Sequence, residues 1–365
     1  MKTTIVEDFP KIKLGISQGD INGIGYEVII KALLDVRINE FFTPIIYGSS
    51  KVLAYHRKAL DIENFNLNSI RIASEANLKR SNIINCIDEN IRVELGKSTE
   101  IAGAASLRAL EVAVEDLKNG EIDALVTAPI NKDNIQSKDF KFPGHTEYLK
   151  HKFGVKEVLM LMVSDRLKVG VVTGHIALKD VASSITVDLI LSKLRILNKS
   201  LIEDFNIGKP KIAILGLNPH CGDNGLIGNE ENEILIPAIN TARKEGIVAM
   251  GPFAADGLFG SKDYLKYDAI LAMYHDQGLA PFKSISFESG VNYTAGLPFV
   301  RTSPAHGTAF EIAGKNEASE HSFREAMYLA LDIWKNRQQH KMLNSNPLLI
   351  SQETNNSGGK SNQRE

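Results

Sequence analysis

Short apolar runs rich in β-branched residues alternate with segments of helical period along almost the whole chain, and that alternation restricts the fold most. Runs this short read as buried strands. Strands joined through intervening helices pair in parallel, because each crossover needs a dozen or more residues. The expected fold class is α/β, a largely parallel sheet covered by helices. The pattern predicts strands over residues 11–17, 43–47, 124–127, 158–163, 169–173, 212–217, 291–295 and 299–302. Helices are predicted over 25–35, after Ser50, and over 104–118, 187–201, 232–245 and 322–341. The helix at 104–118 is the clearest, since Leu107, Leu110, Val114 and Leu117 recur at spacings of three and four. Residues 344–365 are rich in Asn, Ser, Gln and Gly and read as a disordered tail. No repeat of solenoid period is visible, and no linker of biased composition splits the chain.

With 365 residues the chain can form two domains of ordinary size. Its 42 Lys and Arg against 44 Asp and Glu leave a net charge of −2, which gives no footprint for nucleic acid or an anionic membrane. No apolar stretch approaches the length of a membrane helix, and the first ten residues lack the apolar core of a signal peptide. Two cysteines, Cys86 and Cys221, make a disulfide framework an unsuitable reading. These features describe a cytoplasmic protein with reduced thiols.

Three of the strand-like runs lead into a histidine, at His175, His220 and His275. Open α/β sheets gather ligands beyond the carboxyl ends of their strands. A single histidine after a strand is usually just a satisfied polar residue. Three in equivalent places can hold one divalent metal and leave a position open for substrate. Imidazole ligands suit zinc and other late first-row metals better than magnesium. Asp276 follows His275 and can orient an imidazole, bind metal itself, or simply serve a turn.

A second group suits an anion. In Phe142-Pro143-Gly144-His145-Thr146-Glu147, a Pro-Gly turn precedes a helix start and can aim backbone N–H groups and a hydroxyl at a phosphate. Read more plainly, Thr146 is a helix N-cap, and the two readings are compatible. Lys283, Asn292 and Arg301 can supply the cations and polar groups a phosphate requires, although each alone is more often a surface residue. Gly19-Asp20-Ile21-Asn22-Gly23-Ile24-Gly25 opens the first helix but matches neither the dinucleotide fingerprint nor a P-loop, so a tight turn is the better reading. Thr127-Ala128-Pro129-Ile130-Asn131-Lys132 follows a strand and is placed to line a cleft, and the loop from Ser303 to Ala309 can hold an adenosine. Cys221 beside His220 invites a catalytic-thiol reading, but no supporting context for a nucleophilic cysteine is present.

These motifs, together with Leu217-Asn218-Pro219-His220, Gly251-Pro252-Phe253-Ala254-Ala255-Asp256, Tyr274-His275-Asp276-Gln277-Gly278 and Gly296 to Ser303, resemble in order those of the PdxA family of 4-hydroxythreonine-4-phosphate dehydrogenases. The resemblance spans about residues 11 to 340. The loop from His306 to Lys315 is similar to the adenosine loop of isocitrate and isopropylmalate dehydrogenases. Two departures stand out: Ile21-Asn22 where the family usually has Pro-Ala, and Leu279-Ala280-Pro281 after the third histidine motif. Neither removes a functional side chain.

The resemblance implies a two-domain α/β/α architecture of the isocitrate/isopropylmalate dehydrogenase type, with a cleft between domains and a non-Rossmann NAD site. One domain would comprise 1–130 with 300–343, the other 131–299 with the histidines and a dimer interface. It implies His175, His220 and His275 as ligands of a divalent metal (Zn, Mg or Co), one of them supplied by the partner of a homodimer. It implies His145, Thr146, Lys283, Asn292 and Arg301 as substrate-binding residues, and His306, Gly307 and Thr308 as contacts to NAD or NADP. The acceptor of the hydroxyl proton stays open between a metal-bound water and a cleft side chain, with Lys283 and Asp276 the candidate catalytic residues. The implied reaction, part of pyridoxine 5'-phosphate synthesis, oxidises 4-phosphooxy-L-threonine to a β-keto acid that decarboxylates. Two alternatives stand beside it: a dehydrogenase of D-threonate or D-erythronate 4-phosphate, and a metal-dependent phosphoryl hydrolase or lyase.

Overall fold

The computed structural model describes residues 9–345. One sheet of twelve strands runs through the molecule: β1 (Ile12–Ser17), β2 (Phe42–Gly48), β3 (Asn68–Ile70), β4 (Asn82–Asn85), β5 (Ala124–Thr127), β6 (Leu159–Val163), β7 (Lys168–Val171), β8 (Lys211–Leu215), β9 (Val248–Phe253), β10 (Ala269–Ala272), β11 (Val291–Ala295) and β12 (Val300–Pro304). Their spatial order is β3-β4-β2-β1-β5-β12-β11-β6-β7-β10-β8-β9. The principal helices are α1 (Gly25–Leu33), α2 (Ser50–Ala59), α3 (Glu100–Lys118), α4 (His145–Lys152), α5 (Val187–Glu203), α6 (Ile236–Lys244), α7 (His275–Ser286) and α8 (His321–Ser345). Hydroxyl caps start several of them: Ser49, Thr99 and Thr186 accept from the N–H groups of Val52, Ala102 and Leu189.

Parallel pairing holds from β3 across to β12, and again from β7 to β9. Between these blocks β11 is antiparallel to both β12 and β6, and β6 is antiparallel to β7. The two parallel blocks are thus joined by an antiparallel centre, which the expectation of a largely parallel sheet did not include. Every residue of β2, β5, β6 and β10 is buried, as strands covered on both faces require.

The two faces are packed differently. On one, a single apolar core runs the width of the sheet, joining Ile12, Leu14 and Ile16 with α1, α5, α6 and α8. On the other, the core breaks in two. Leu107, Leu110 and Val114 of α3 pack with Ile45, Tyr47 and Leu125, while Leu279 and Phe282 of α7 pack with Met160, Met162, Val169 and Ile270. The gap between those clusters lies over the antiparallel centre, and the candidate site is there.

Sequence periodicity missed α7, which contains Gly278 and Pro281. Gly278 is required by packing: a Cβ there would lie 2.8 Å from Val169 Cγ1 and 3.0 Å from the Ala272 Cβ, so the helix can lie directly on β7 and β10. Asn344 and Ser345, expected in the disordered tail, close α8; the rest of that predicted tail lies outside the described residues. No described helix is long and apolar enough to cross a membrane.

Candidate active site

The cavity between the two core clusters has a volume of about 240 Å³. Its floor is a face of the antiparallel centre. Asn292 of β11 is in register with Met162 of β6 and Ser303 of β12, and all three line it together with Met160 and Arg301. Its walls are Thr127 to Ile130 and Lys132 after β5, the start of α4, the start of α7 with Lys283, and the loop holding His306 and Gly307. His145, Thr146, Lys283, Asn292 and Arg301, far apart in sequence, therefore meet in one cavity.

Arg301 is the most informative member. It is 2% exposed, and its Nε and Nη2 donate to the Thr127 hydroxyl at 3.2 and 2.6 Å while Nη1 donates to the Thr294 hydroxyl at 3.1 Å. Among the described residues no carboxylate forms an ion pair with it. Burial lowers its pKa to about 9, with Glu147 acting the other way, so the guanidinium stays charged at neutral pH. His145 begins α4 and keeps its Nε2 shut off from solvent and without a partner. Burial, then Arg301 and Lys132, holds its imidazole well below the usual range, so it is neutral. The Asn292 Oδ1 is likewise buried without a partner. Charged and polar groups left unanswered inside a cavity mark a place for a polar, anionic guest.

α4 begins at His145, with Gly144 rather than Thr146 in the N-cap position and no side-chain cap bond. Thr146 is one residue inside the helix, and its hydroxyl is free to line the cavity.

β7, β10 and β8 are adjacent and parallel, so their carboxyl ends share one edge of the sheet. His175 and His275 sit side by side there, ring centroids 5.6 Å apart, and both line the cavity. His275 Nδ1 is 2.6 Å from Asp276 Oδ1, and His175 Nδ1 is 3.7 Å from Glu147 Oε1. The His275–Asp276 bond, a carboxylate on one ring nitrogen that fixes the other for a ligand, is the usual outer-shell arrangement around a metal-binding imidazole, and Glu147 stands near His175 without bonding it. The pair thus fits a divalent metal. Lys132 Nζ stands 3.1 Å from His175 Nε2, and burial lowers the pKa of this lysine while Glu147 raises it. Glu147 itself is pushed up by burial, but the neighbouring His175 imidazole and its own backbone N–H outweigh that and leave it below the usual carboxylate range. His220 is elsewhere, in a neighbouring surface pocket with Asn218, Asp256, Tyr274 and Gln277. Among the described residues of one chain, no three histidine, cysteine or carboxylate groups converge as a metal site.

Asp276 is exposed and does not line the cavity, whereas Lys283 does. His306 and Gly307 line it as well, and His306 Nε2 is buried without a partner, which suits a polar cofactor group. Thr308 turns away: its carbonyl accepts from Ile24 N–H in the glycine-rich turn at 3.0 Å. That turn is structural. The buried Asp20 carboxylate accepts from Asn22 N–H and Asn134 Nδ2, both at 2.8 Å, fixing the turn against the segment that carries Lys132. Burial, then Glu231, raises the Cys221 pKa, which leaves the thiol a poor nucleophile.

Sequence reasoning placed Lys132 only among cleft-lining residues and gave no role to Glu147, Met160 or Met162. The first two were visible inside recognised motifs, but only folding shows them bracketing His175.

A profile described as pyridoxal phosphate biosynthetic protein PdxA matches residues 40–330. A 4-hydroxythreonine-4-phosphate dehydrogenase of Bacteroides thetaiotaomicron is 55% identical over 93% of either chain. A D-threonate 4-phosphate dehydrogenase of Cupriavidus necator is 40% identical over 86% of this chain and 95% of its own. The crystal structure of 4-hydroxythreonine-4-phosphate dehydrogenase from Klebsiella pneumoniae superposes with a TM-score of 0.77 at 32% identity, covering 90% of this chain and 99% of that one. The fold, the order of the motifs and these likenesses together place the chain in the PdxA family of oxidoreductases.

Proposed function

We propose that the protein oxidises the C3 hydroxyl of 4-phosphooxy-L-threonine with NAD, or NADP, as hydride acceptor, in the synthesis of pyridoxine 5'-phosphate. The product, 2-amino-3-oxo-4-phosphooxybutanoate, is a β-keto acid that loses carbon dioxide to give 3-amino-2-oxopropyl phosphate. The observation that carries this reading is Arg301, a buried cation whose partners are two hydroxyls, next to the unpartnered Nε2 of a neutral His145. A phosphate supplies the charge and the acceptors both groups lack. Thr146, Asn292 and Lys283 complete the contacts, and holding the remote phosphate positions the reacting carbon.

His175 and His275 would hold the divalent metal, Zn, Mg or Co, with His220 contributed by a second copy of the chain. When bound, the metal lowers the pKa of the substrate hydroxyl and the nicotinamide accepts the hydride. Asp276 orients the His275 imidazole, and Glu147 stands near that of His175. Of the two candidate side chains for the hydroxyl proton, Lys283 lines the cavity and Asp276 does not, so Lys283 is the one placed to act there. His306 and Gly307 bind the cofactor, with Thr308 holding their loop against the glycine-rich turn. A homodimer is supported by the loops bearing the histidines, which expose Ile176, Leu178, Leu226 and Ile227, with Leu226 at 80%. The free thiols of Cys86 and Cys221 suit the cytoplasm.

The second reading, oxidation of D-threonate 4-phosphate, is favoured by the Cupriavidus relative. That substrate lacks the amine. Turnover is followed by the absorbance of reduced cofactor with each phosphorylated acid, NAD and a divalent metal. The proposal expects the amino acid to win by at least tenfold in kcat/KM. Equal or faster turnover of the threonate ester would transfer the assignment, and no reduction of NAD by well-folded protein would end it.

A further inference from the structure

The segment after β8 that carries His220 is in an unusual conformation. His220, Cys221, Gly222, Asp223 and Asn224 all have left-handed backbone angles, φ between 44° and 77°. Only Gly222 adopts that region without a steric cost, and a run of L-residues there persists only when its surroundings enforce it. Backbone bonds within the loop brace it, Ile227 N–H to Gly222 O and Cys221 N–H to Asn218 O among them, and one buried side chain fixes the residues that lead into it. Glu231 is 2% exposed, and its Oε1 accepts from the N–H groups of Leu217 at 2.8 Å and Asn218 at 2.7 Å, while its Oε2 accepts from Asn218 Nδ2 at 2.9 Å. The carboxylate fills the inside of the loop: a Cβ on Gly222 would lie 2.8 Å from its Oε2. Glu231 opens a π-helical turn, Glu231–Leu235, at the head of α6, and such turns recur where a helix is distorted to serve a site. The loop is also tied to the next histidine. Gln277 donates to Gly216 O at 2.6 Å and accepts from Met273 N–H at 2.7 Å, linking the end of β8 to the start of α7 at His275.

We infer that Glu231 is the positioning residue that holds the strained loop so that His220 is presented as a metal ligand. The inference rests on the metal reading of His220 for its purpose, and on the hydrogen bonds alone for its mechanics. Charge-assisted bonds to backbone N–H groups are the strong kind, and one carboxylate here supplies the acceptors for consecutive amides. Strain in the His220 loop is thereby offset by a group that never touches substrate.

The test uses the full chain with Glu231→Ala and the near-isosteric Glu231→Gln, whose single carbonyl can still accept while its amide faces the Asn218 amide. Amide hydrogen exchange of residues 217–228, measured on metal-free protein, is expected to lose protection in the alanine variant and to be partly restored in the glutamine variant. Zn²⁺ and Co²⁺ affinity by calorimetry is expected to weaken about 10- to 100-fold in the alanine variant and less in the glutamine variant, as for other outer-shell substitutions. The lost turnover should return at raised metal concentration. Unchanged exchange in folded Glu231→Ala would overturn the inference, as would faster exchange with metal affinity within twofold of the wild type. Failure of both variants to fold would make Glu231 a general folding determinant and overturn it too. Wild-type protein that binds no divalent metal would defeat the metal reading separately, and the exchange measurement would still decide whether Glu231 clamps the loop.

Discussion

Arg301→Met separates binding from stability. Desolvating a cation costs several kcal/mol, and a buried arginine normally recovers that through a carboxylate whose loss costs about 3–5 kcal/mol. Arg301 recovers it through three hydrogen bonds to hydroxyls, about 1.5–3 kcal/mol each, so cost and gain roughly cancel. Methionine fills much of the same volume, and the Thr127 and Thr294 hydroxyls can turn to other partners. The variant should therefore change folding stability by less than about 2 kcal/mol, or about 4 °C in Tm for a chain of this size. Substrate binding is another matter. Each terminal nitrogen of Arg301 keeps one N–H free of the threonines, enough for a bidentate contact to phosphate. Losing two such bonds, about 3–6 kcal/mol, lowers kcat/KM by about 10²- to 10⁴-fold. Arg337→Met is the internal control. Arg337 donates to Asp204 Oδ1 at 2.6 Å and to the Tyr293 hydroxyl at 2.8 Å, and removing it strands a buried carboxylate, so about 3–5 kcal/mol of stability should go. Urea unfolding without substrate and steady-state kinetics measure the two effects. The reasoning is refuted if Arg301→Met loses as much stability as Arg337→Met while kcat/KM falls less than tenfold.

Other expectations follow from burial. His56 lies against Ile21 O at 2.7 Å, and burial lowers its pKa to about 4. The unfolded chain therefore takes up a proton below pH 6.5 that the native state refuses; stability is full above pH 6.5 and falls by about 3 kcal/mol on the way to pH 4. His145 acts with the same sign, and His56→Gln should flatten the urea midpoint against pH over that window; an unchanged slope would show that His56 is not responsible. Gly103 lies within α3, where alanine ordinarily adds about 1 kcal/mol. Here a Cβ would run into the backbone of Asn134 and Ile135, so Gly103→Ala should lose about 1–3 kcal/mol and disturb the neighbouring Lys132, read as a lower Tm and a raised KM. Leu226→Glu places a charge on the exposed apolar loop beside His220, and light scattering should then show a smaller species that has also lost metal affinity. A dimer that persists with full affinity would remove this loop from the interface.

What the chain discloses before folding depends on how local the determining contacts are. β5 and β11 were legible to the residue, because apolar β-rich runs with clear borders need no distant partner to be recognised. β3 and β4 were not, since Asn68–Ile70 and Asn82–Asn85 are short and polar at their ends. α7 was hidden by Gly278 and Pro281, residues that break an isolated helix, and here Gly278 lets the helix lie on the sheet. The site divides in the same way. Histidines after strands can be seen in sequence, but that β7, β10 and β8 are neighbours depends on a strand order that no local signal encodes. Which histidines meet is likewise a matter of loops. His275 starts a helix and is fixed by its neighbour Asp276, a contact one residue long. His220 depends on Glu231, and His175 on Lys132 and Glu147, contacts made across folded elements. A residue type that recurs at strand ends is therefore legible as a candidate ligand set, whereas the carboxylates and lysine beside each imidazole are legible only from the three-dimensional structure.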